Sequence, residues 1–157
     1  MPDNQMKAIC CTIPLIQDLT HLKLENNNIN DFMASAIMIS CFMSPTLQGL
    51  EFRGNFLRSS ASNTIFQLMK DQPNVIQEFR VPGSMHVGEY LDFPTKDMYK
   101  LGNLHSLDFS NIPISIQAAK NIGHYMVFSK KLRFLDVSGC KLAYQGTRYL
   151  VDGLNRN

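Results

Sequence analysis

Residues 19–29 read Leu19-Thr20-His21-Leu22-Lys23-Leu24-Glu25-Asn26-Asn27-Asn28-Ile29, the pattern L-x-x-L-x-L-x-x-N-x-I. Leu22 and Leu24 sit two apart, so on a strand they point to one side, while His21, Lys23 and Glu25 point to the other. The pattern returns 28 residues on, with Leu47, Leu50, Phe52, Asn55 and Leu57. A degenerate copy has Ile76, Phe79 and Val81, with Ser84 in the asparagine slot, 29 residues later. The fourth copy (Leu104, Leu107, Phe109, Ile114) and the fifth (Leu132, Leu135, Val137, Cys140, Leu142) each follow after a further 28. Five copies in register make a repeat rather than a chance match. A short strand with one apolar face cannot bury it alone. Stacking neighbours produces a parallel sheet and a continuous core.

The segments between the strands predict helices over 32–43, 61–70, 115–128 and 144–154, from apolar spacing and from the stops at Pro45 and Pro73. The third unit departs: Pro82, Gly83 and Pro94 predict a helix shortened or displaced to about 95–101. Pro82, Gly83 and His86 read there as an exposed loop. Asn27 and Asn55 fall where the chain turns after its strand, and a buried amide there satisfies backbone groups without sheet partners. Ser84 and Cys140 are weaker substitutes. Ile112 cannot do this work, which predicts an altered turn between Ser110 and Ile114.

The repeat resembles the leucine-rich-repeat family, and the 28–29-residue period is similar to its ribonuclease-inhibitor-like subclass. The resemblance covers about residues 5–157. It implies an α/β fold: a solenoid forming a curved horseshoe segment, with the parallel sheet on the concave face, helices on the convex face and about five strand–helix units. One domain is expected over 1–157, with an N-terminal helix at 4–17 and units starting near 19, 47, 76, 104 and 132. Both ends lack an evident cap, so the chain reads as a fragment of a longer protein; simple helical caps are the alternative.

Composition removes several function classes. The 157 residues are 45% hydrophobic and 18% charged, enough to build a core. A net charge of +2 gives no electrostatic case for nucleic acid. No run of about 20 apolar residues exists to span a bilayer. The four cysteines, Cys10, Cys11, Cys41 and Cys140, form no CxxC pair, so a reduced, cytoplasmic protein without a zinc site is expected. His21, His86, His105 and His124 show no metal-ligand spacing, and no phosphate-binding or nucleophile motif occurs. No cofactor and no enzymatic activity are expected.

The candidate site is the side-chain face opposite the core. Its central column runs Lys23, Glu51, Arg80, Asp108, Asp136; the column before it His21, Gly49, Glu78, Ser106, Phe134; the column after it Glu25, Arg53, Pro82, Ser110, Ser138. Phe134 is an aromatic expected to face solvent, as interface anchors do, unless a flanking segment covers it. Asp108 and Asp136 fall on adjacent strands, where mutual repulsion would raise one carboxyl, or where both form a solvated acidic strip. Lys23, Glu51, Arg53, Arg80, Asp108, Phe134 and Asp136 are therefore the candidate protein-binding residues.

The resemblance implies a scaffold that binds a protein partner through the concave strand face. Two other roles are implied by relatives in the family. Repeat domains of about this size occur in tropomodulin-like actin-capping proteins, which gives a structural subunit of a cytoskeletal or multi-protein assembly. Others activate small GTPases; Arg53 and Arg58 lie near a strand-to-helix loop where such an arginine would be needed.

Overall fold

The structure is a computed structural model that describes residues 3–73, 75–93 and 100–157. Helix α1 (Asp3–Thr12) runs into a short 3-10 turn (Ile13–Leu15). Strand β1 (His21–Lys23) and helix α2 (Asp31–Phe42) follow, then β2 (Gly49–Glu51) and α3 (Ser59–Asp71). The chain continues through β3 (Glu78–Arg80), β4 (Ser106–Asp108), α4 (Ile116–Phe128), β5 (Phe134–Asp136) and α5 (Tyr144–Asn155). The five strands form one parallel sheet in chain order. The predicted columns are the observed register: Leu22, Leu50, Phe79, Leu107 and Leu135 are mutual partners across the sheet.

The four predicted helices are present with ends shifted by one or two residues. Asn30 starts α2 by accepting the Met33 N–H at 3.0 Å, and Ser115 starts α4 by accepting the Ala118 N–H at 3.0 Å. The displaced helix expected at 95–101 lies, but for residues 100 and 101, outside the described residues. The irregular third unit carries an arc over residues 86–90, between Met85, which pairs with Leu57, and Leu91, which pairs with Ile114.

An aromatic cluster forms the centre of the core. Phe66 of α3 meets Phe79, Phe93 and Phe109 edge-on at 5.6, 4.4 and 6.2 Å between ring centroids. Such pairs add about 0.5–1.5 kcal/mol each beyond their burial. Tyr125 joins the cluster and donates its hydroxyl to the Leu101 carbonyl at 2.9 Å. Burial pushes that phenol up to about 12.

After each strand the chain turns through a residue of positive φ at one repeat position, Asn26, Gly54, Gly83, Asn111 and Gly139, all between 55° and 67°; Asn28 and Lys141 add a second in the first and last units. The five of the series are Asn or Gly, the residue types that tolerate the left-handed region. Each of the first four sends its N–H to the next unit, onto Arg53, Pro82, Ser110 and Ser138 carbonyls, so the ladder continues past the strands. The turn at 110–114 therefore keeps the shape of the others, against expectation, because Asn111 at φ 60° supplies it.

What Ile112 changes is the hydrogen bonding of its neighbour. Asn55 is buried and accepts the Asn27 and Ile29 N–H groups (3.1 and 3.0 Å) while donating to the Leu24 and Arg53 carbonyls (2.8 and 3.1 Å). Ser84 repeats this in weaker form, accepting the Asn55 N–H at 3.3 Å and donating to the Phe52 carbonyl. Ile112 offers no acceptor, and the Ser84 N–H turns back onto its own Val81 carbonyl at 3.2 Å. Cys140 resumes the donor role, from Sγ to the Phe109 carbonyl at 3.0 Å. Asn27, expected buried, is half-exposed, because among the described residues no strand lies on the far side of β1.

Candidate protein-interaction face

The outward side chains of β1–β3 form a chain of ion pairs. Lys23 Nζ lies 3.1 Å from Glu25 and 3.7 Å from Glu51, and Arg53 Nε donates to Glu51 at 2.8 Å. That bond, with the surrounding carboxylates, raises the Arg53 guanidinium above its ordinary value. Glu78 receives Arg80 Nη2 at 2.9 Å and has His21 Nε2 at 3.7 Å. His21 reaches it from two strands away because the residue between them is Gly49: a Cβ there would sit 2.2 Å from the imidazole Cδ2.

Arg80 links the two halves of the face. Its Nη2 also donates to Ser106 Oγ at 3.3 Å, and its guanidinium carbon lies 5.8 Å from the Phe134 ring centroid. That is within cation–π range across two strands. Its Nε is buried with no hydrogen-bond partner among the described residues. Phe134 is 48% exposed, as an anchor requires. It also forms one lip of a pocket of about 380 Å³ at the β5 end, whose floor is Leu132, Leu135, Val137, Leu150 and Leu154. A smaller recess of about 100 Å³ lies between His21, Gly49, Glu51, Glu78 and Arg80.

The acidic pair is not a uniformly solvated strip. Asp108 and Asp136 are register partners. Asp108 is only 7% exposed, so the solvated strip is absent there. Each carboxylate instead accepts the N–H two residues on, Asp108 from Ser110 (2.9 Å) and Asp136 from Ser138 (2.8 Å). The Ser138 hydroxyl and N–H lower the Asp136 carboxyl below its ordinary value. These local turns orient both carboxylates toward their own strand ends, and repulsion does not raise Asp136.

Of the candidate residues, the structure joins Lys23, Glu51 and Arg53 in one network and Arg80 with Phe134 in another. Asp108 and Asp136 stand beside them, each held by the backbone N–H two residues on. His21, Glu78 and Ser106 join these networks and were not among the candidate binding residues. The signal for them was Gly49, a gap in the outward column between His21 and Glu78. No cluster of three or more His, Cys, Asp or Glu side chains able to hold a metal occurs among the described residues. No helix among them is long and apolar enough to cross a membrane.

No family model matches this chain, and no curated protein matches it in sequence. Among solved structures it is similar to a Caenorhabditis elegans structure described as the tropomodulin C-terminal domain. The TM-score is 0.63 at 10% identity, over 96% of this chain and 92% of that one. At that identity the likeness speaks to the fold, which is a leucine-rich-repeat-like α/β arrangement, with five parallel strands and five helices among the described residues.

Proposed function

We propose that this chain is a non-enzymatic protein-binding module serving as a structural part of a cytoskeletal or multi-protein assembly, of actin-regulator kind. The observation that carries the reading is the likeness, over nearly its whole length, to a tropomodulin C-terminal domain. Arg80 and Phe134 supply the chemistry on the outward strand face. An exposed aromatic stacked by arginine, beside an apolar pocket and rimmed by ion pairs, is the composition of a binding hot spot. In this reading the sheet is the concave face of a ribonuclease-inhibitor-like solenoid, the partner is a protein, and the setting is cytoplasmic. The GTPase-activating role has less support, since the structural likeness is to a tropomodulin C-terminal domain and no comparison points to a GTPase activator.

The test is co-sedimentation with actin filaments and filament elongation, comparing wild type with the double variant Phe134→Ala, Asp136→Lys. Binding by wild type and at least tenfold weaker binding by the folded variant is the expected result. Equal binding by both would move the site off the strand face, and no effect of wild type on filaments would remove the actin-regulator reading.

A further inference from the structure

The sheet ends at β5 with a hydrogen-bonding edge open. In each earlier unit the residue just past the strand sends its N–H to the next unit: Leu24 to Glu51, Phe52 to Arg80, Val81 to Asp108 and Phe109 to Asp136. Val137 and Gly139 hold the donor positions of the last unit, and no strand among the described residues lies beyond β5 to receive them. Phe134 donates its N–H to the His105 carbonyl of the preceding unit, so the alternation aims the backbone groups of Leu135 and Val137 away from β4. The core is open at the same place. Leu104, Leu107 and Phe109 are at most 1% exposed. Their counterparts Leu132, Leu135 and Val137 are partly exposed and, with Leu150 and Leu154, floor the pocket of about 380 Å³. Charge also collects here. Residues 129–157 carry Lys130, Lys131, Arg133, Lys141, Arg148 and Arg156 against Asp136 and Asp152, a net +4 within a chain of +2. All six cations are exposed, and none forms an ion pair among the described residues. Arg133 stands on the pocket just before β5, and Lys141 in the turn just after it.

We propose that this edge is a docking site for an acidic, extended segment of a partner protein, which adds as a sixth parallel strand and lays two apolar side chains, two residues apart, into the pocket. Donors and acceptors at every second residue call for a strand, since an extended chain repeats its own groups at that interval. Five strands already run parallel, and a sixth in the same sense continues the sheet. The pocket lies under the inward side of that strand, so the guest residues level with Leu135 and Val137 are apolar. The net +4, with Arg133 and Lys141 at the two ends of β5, calls for acidic residues flanking the apolar pair. The guest residue level with Asp136 is uncharged, because a carboxylate there would stand one strand spacing, about 4.8 Å, from it. Two copies pairing β5 on β5 would instead set two +4 ends together. The site is separate from the actin-regulator reading, since it works through backbone groups and end charge rather than the outward face. Its assay contains no actin, so the two fail independently.

The probe is a capped, fluorescently labelled peptide, EETLTVTGGE. Its Leu and Val fall level with Leu135 and Val137, its second Glu with Arg133 and its last Glu with Lys141. Anisotropy on titration with the full chain to about 500 µM is expected to saturate with Kd about 10–100 µM. Replacing the three Glu by Lys is expected to weaken binding at least tenfold. Leu154→Glu in the chain, at an exposed site on the pocket floor, is expected to do the same. The decisive pair leaves the chain unaltered. N-methylation of the Thr between Leu and Val removes the donor that would reach the Leu135 carbonyl, and is expected to cost at least tenfold. N-methylation of the Val, whose N–H points away from β5 in parallel pairing, is expected to change binding less than threefold. No saturation by 500 µM overturns the proposal, as do equal effects of the two methyl groups, a reversal of their order (antiparallel addition), or equal binding of the Lys peptide. So does sedimentation velocity showing that the chain alone associates and that Leu154→Glu abolishes it, which would give the edge to a second copy.

Discussion

The imidazole of His21 lies over the backbone of Gly49 and brings its Nε2 to 3.7 Å from Glu78, on the second strand beyond its own. Nearest-neighbour stacking alone would leave His21 facing solvent. The missing Cβ at Gly49 converts it into a bridge across three strands. Gly49→Ala is expected to push the exposed ring off Glu78. Ala suits a strand better than Gly by roughly 0.5–1 kcal/mol, so global stability should change by less than about 1 kcal/mol. Loss of NMR contacts between the His21 ring and Glu78, with an almost unchanged Tm, is the expected pair of results.

Asn55→Ala removes four hydrogen bonds at once, two of them buried: those it accepts from the Asn27 and Ile29 N–H groups and those it donates to the Leu24 and Arg53 carbonyls. A loss of about 2–4 kcal/mol is expected in urea unfolding. Cys140→Ala removes only weak thiol donor bonds, chiefly to the Phe109 carbonyl, and should cost about 1 kcal/mol or less. A cost for Cys140→Ala as large as that for Asn55→Ala would refute this ordering.

Phe66 stands at the junction of three aromatic neighbours and is fully buried. Phe66→Ala is expected to cost about 3–5 kcal/mol, from lost burial plus the cavity it leaves. Phe66→Leu should cost well under half of that, since most of the volume is kept. Equilibrium denaturation of the two variants decides the point.

Glu89 docks on the start of α3, taking the Ser59 N–H at 3.2 Å and its hydroxyl at 2.7 Å. These bonds lower the Glu89 carboxyl below its ordinary value of 4.5. A depressed carboxyl stabilises the fold fully above the unfolded value and loses that contribution as pH falls through the folded one. The Tm advantage of wild type over Glu89→Gln should therefore hold at neutral pH and shrink as pH drops below 4.5. An advantage that is flat down to strong acid would show that Glu89 does not act through its charge.

Burial pushes the Cys41 thiol up to about 12 and the Cys140 thiol up to about 11, so both stay protonated at neutral pH. Cys11 is exposed. Mass spectrometry after brief iodoacetamide treatment at neutral pH should find Cys11 alkylated and Cys41 and Cys140 untouched until denaturant is added. Early labelling of Cys41 would mean that α2 opens readily.

The 28–29-residue period by itself determined the strand positions, the parallel order and the register of every outward column, because each unit contacts only its neighbours and equal spacing puts equal positions side by side. That Asn26, Gly54, Gly83, Asn111 and Gly139 form one turn series is visible only in their φ angles. Other features depended on directions that spacing does not encode. The reach of His21 over Gly49, the stacking of Arg80 on Phe134, and the use of Asp31 and Glu89 to cap α3 from neighbouring units all depend on where long side chains bend. Asp108 looked solvated because its column faces outward, but the turn that ties it to Ser110 folds the carboxylate against its own backbone. A one-dimensional repeat specifies its backbone locally; the face it presents is decided by contacts among side chains 26 to 57 residues apart, which only the assembled stack brings together.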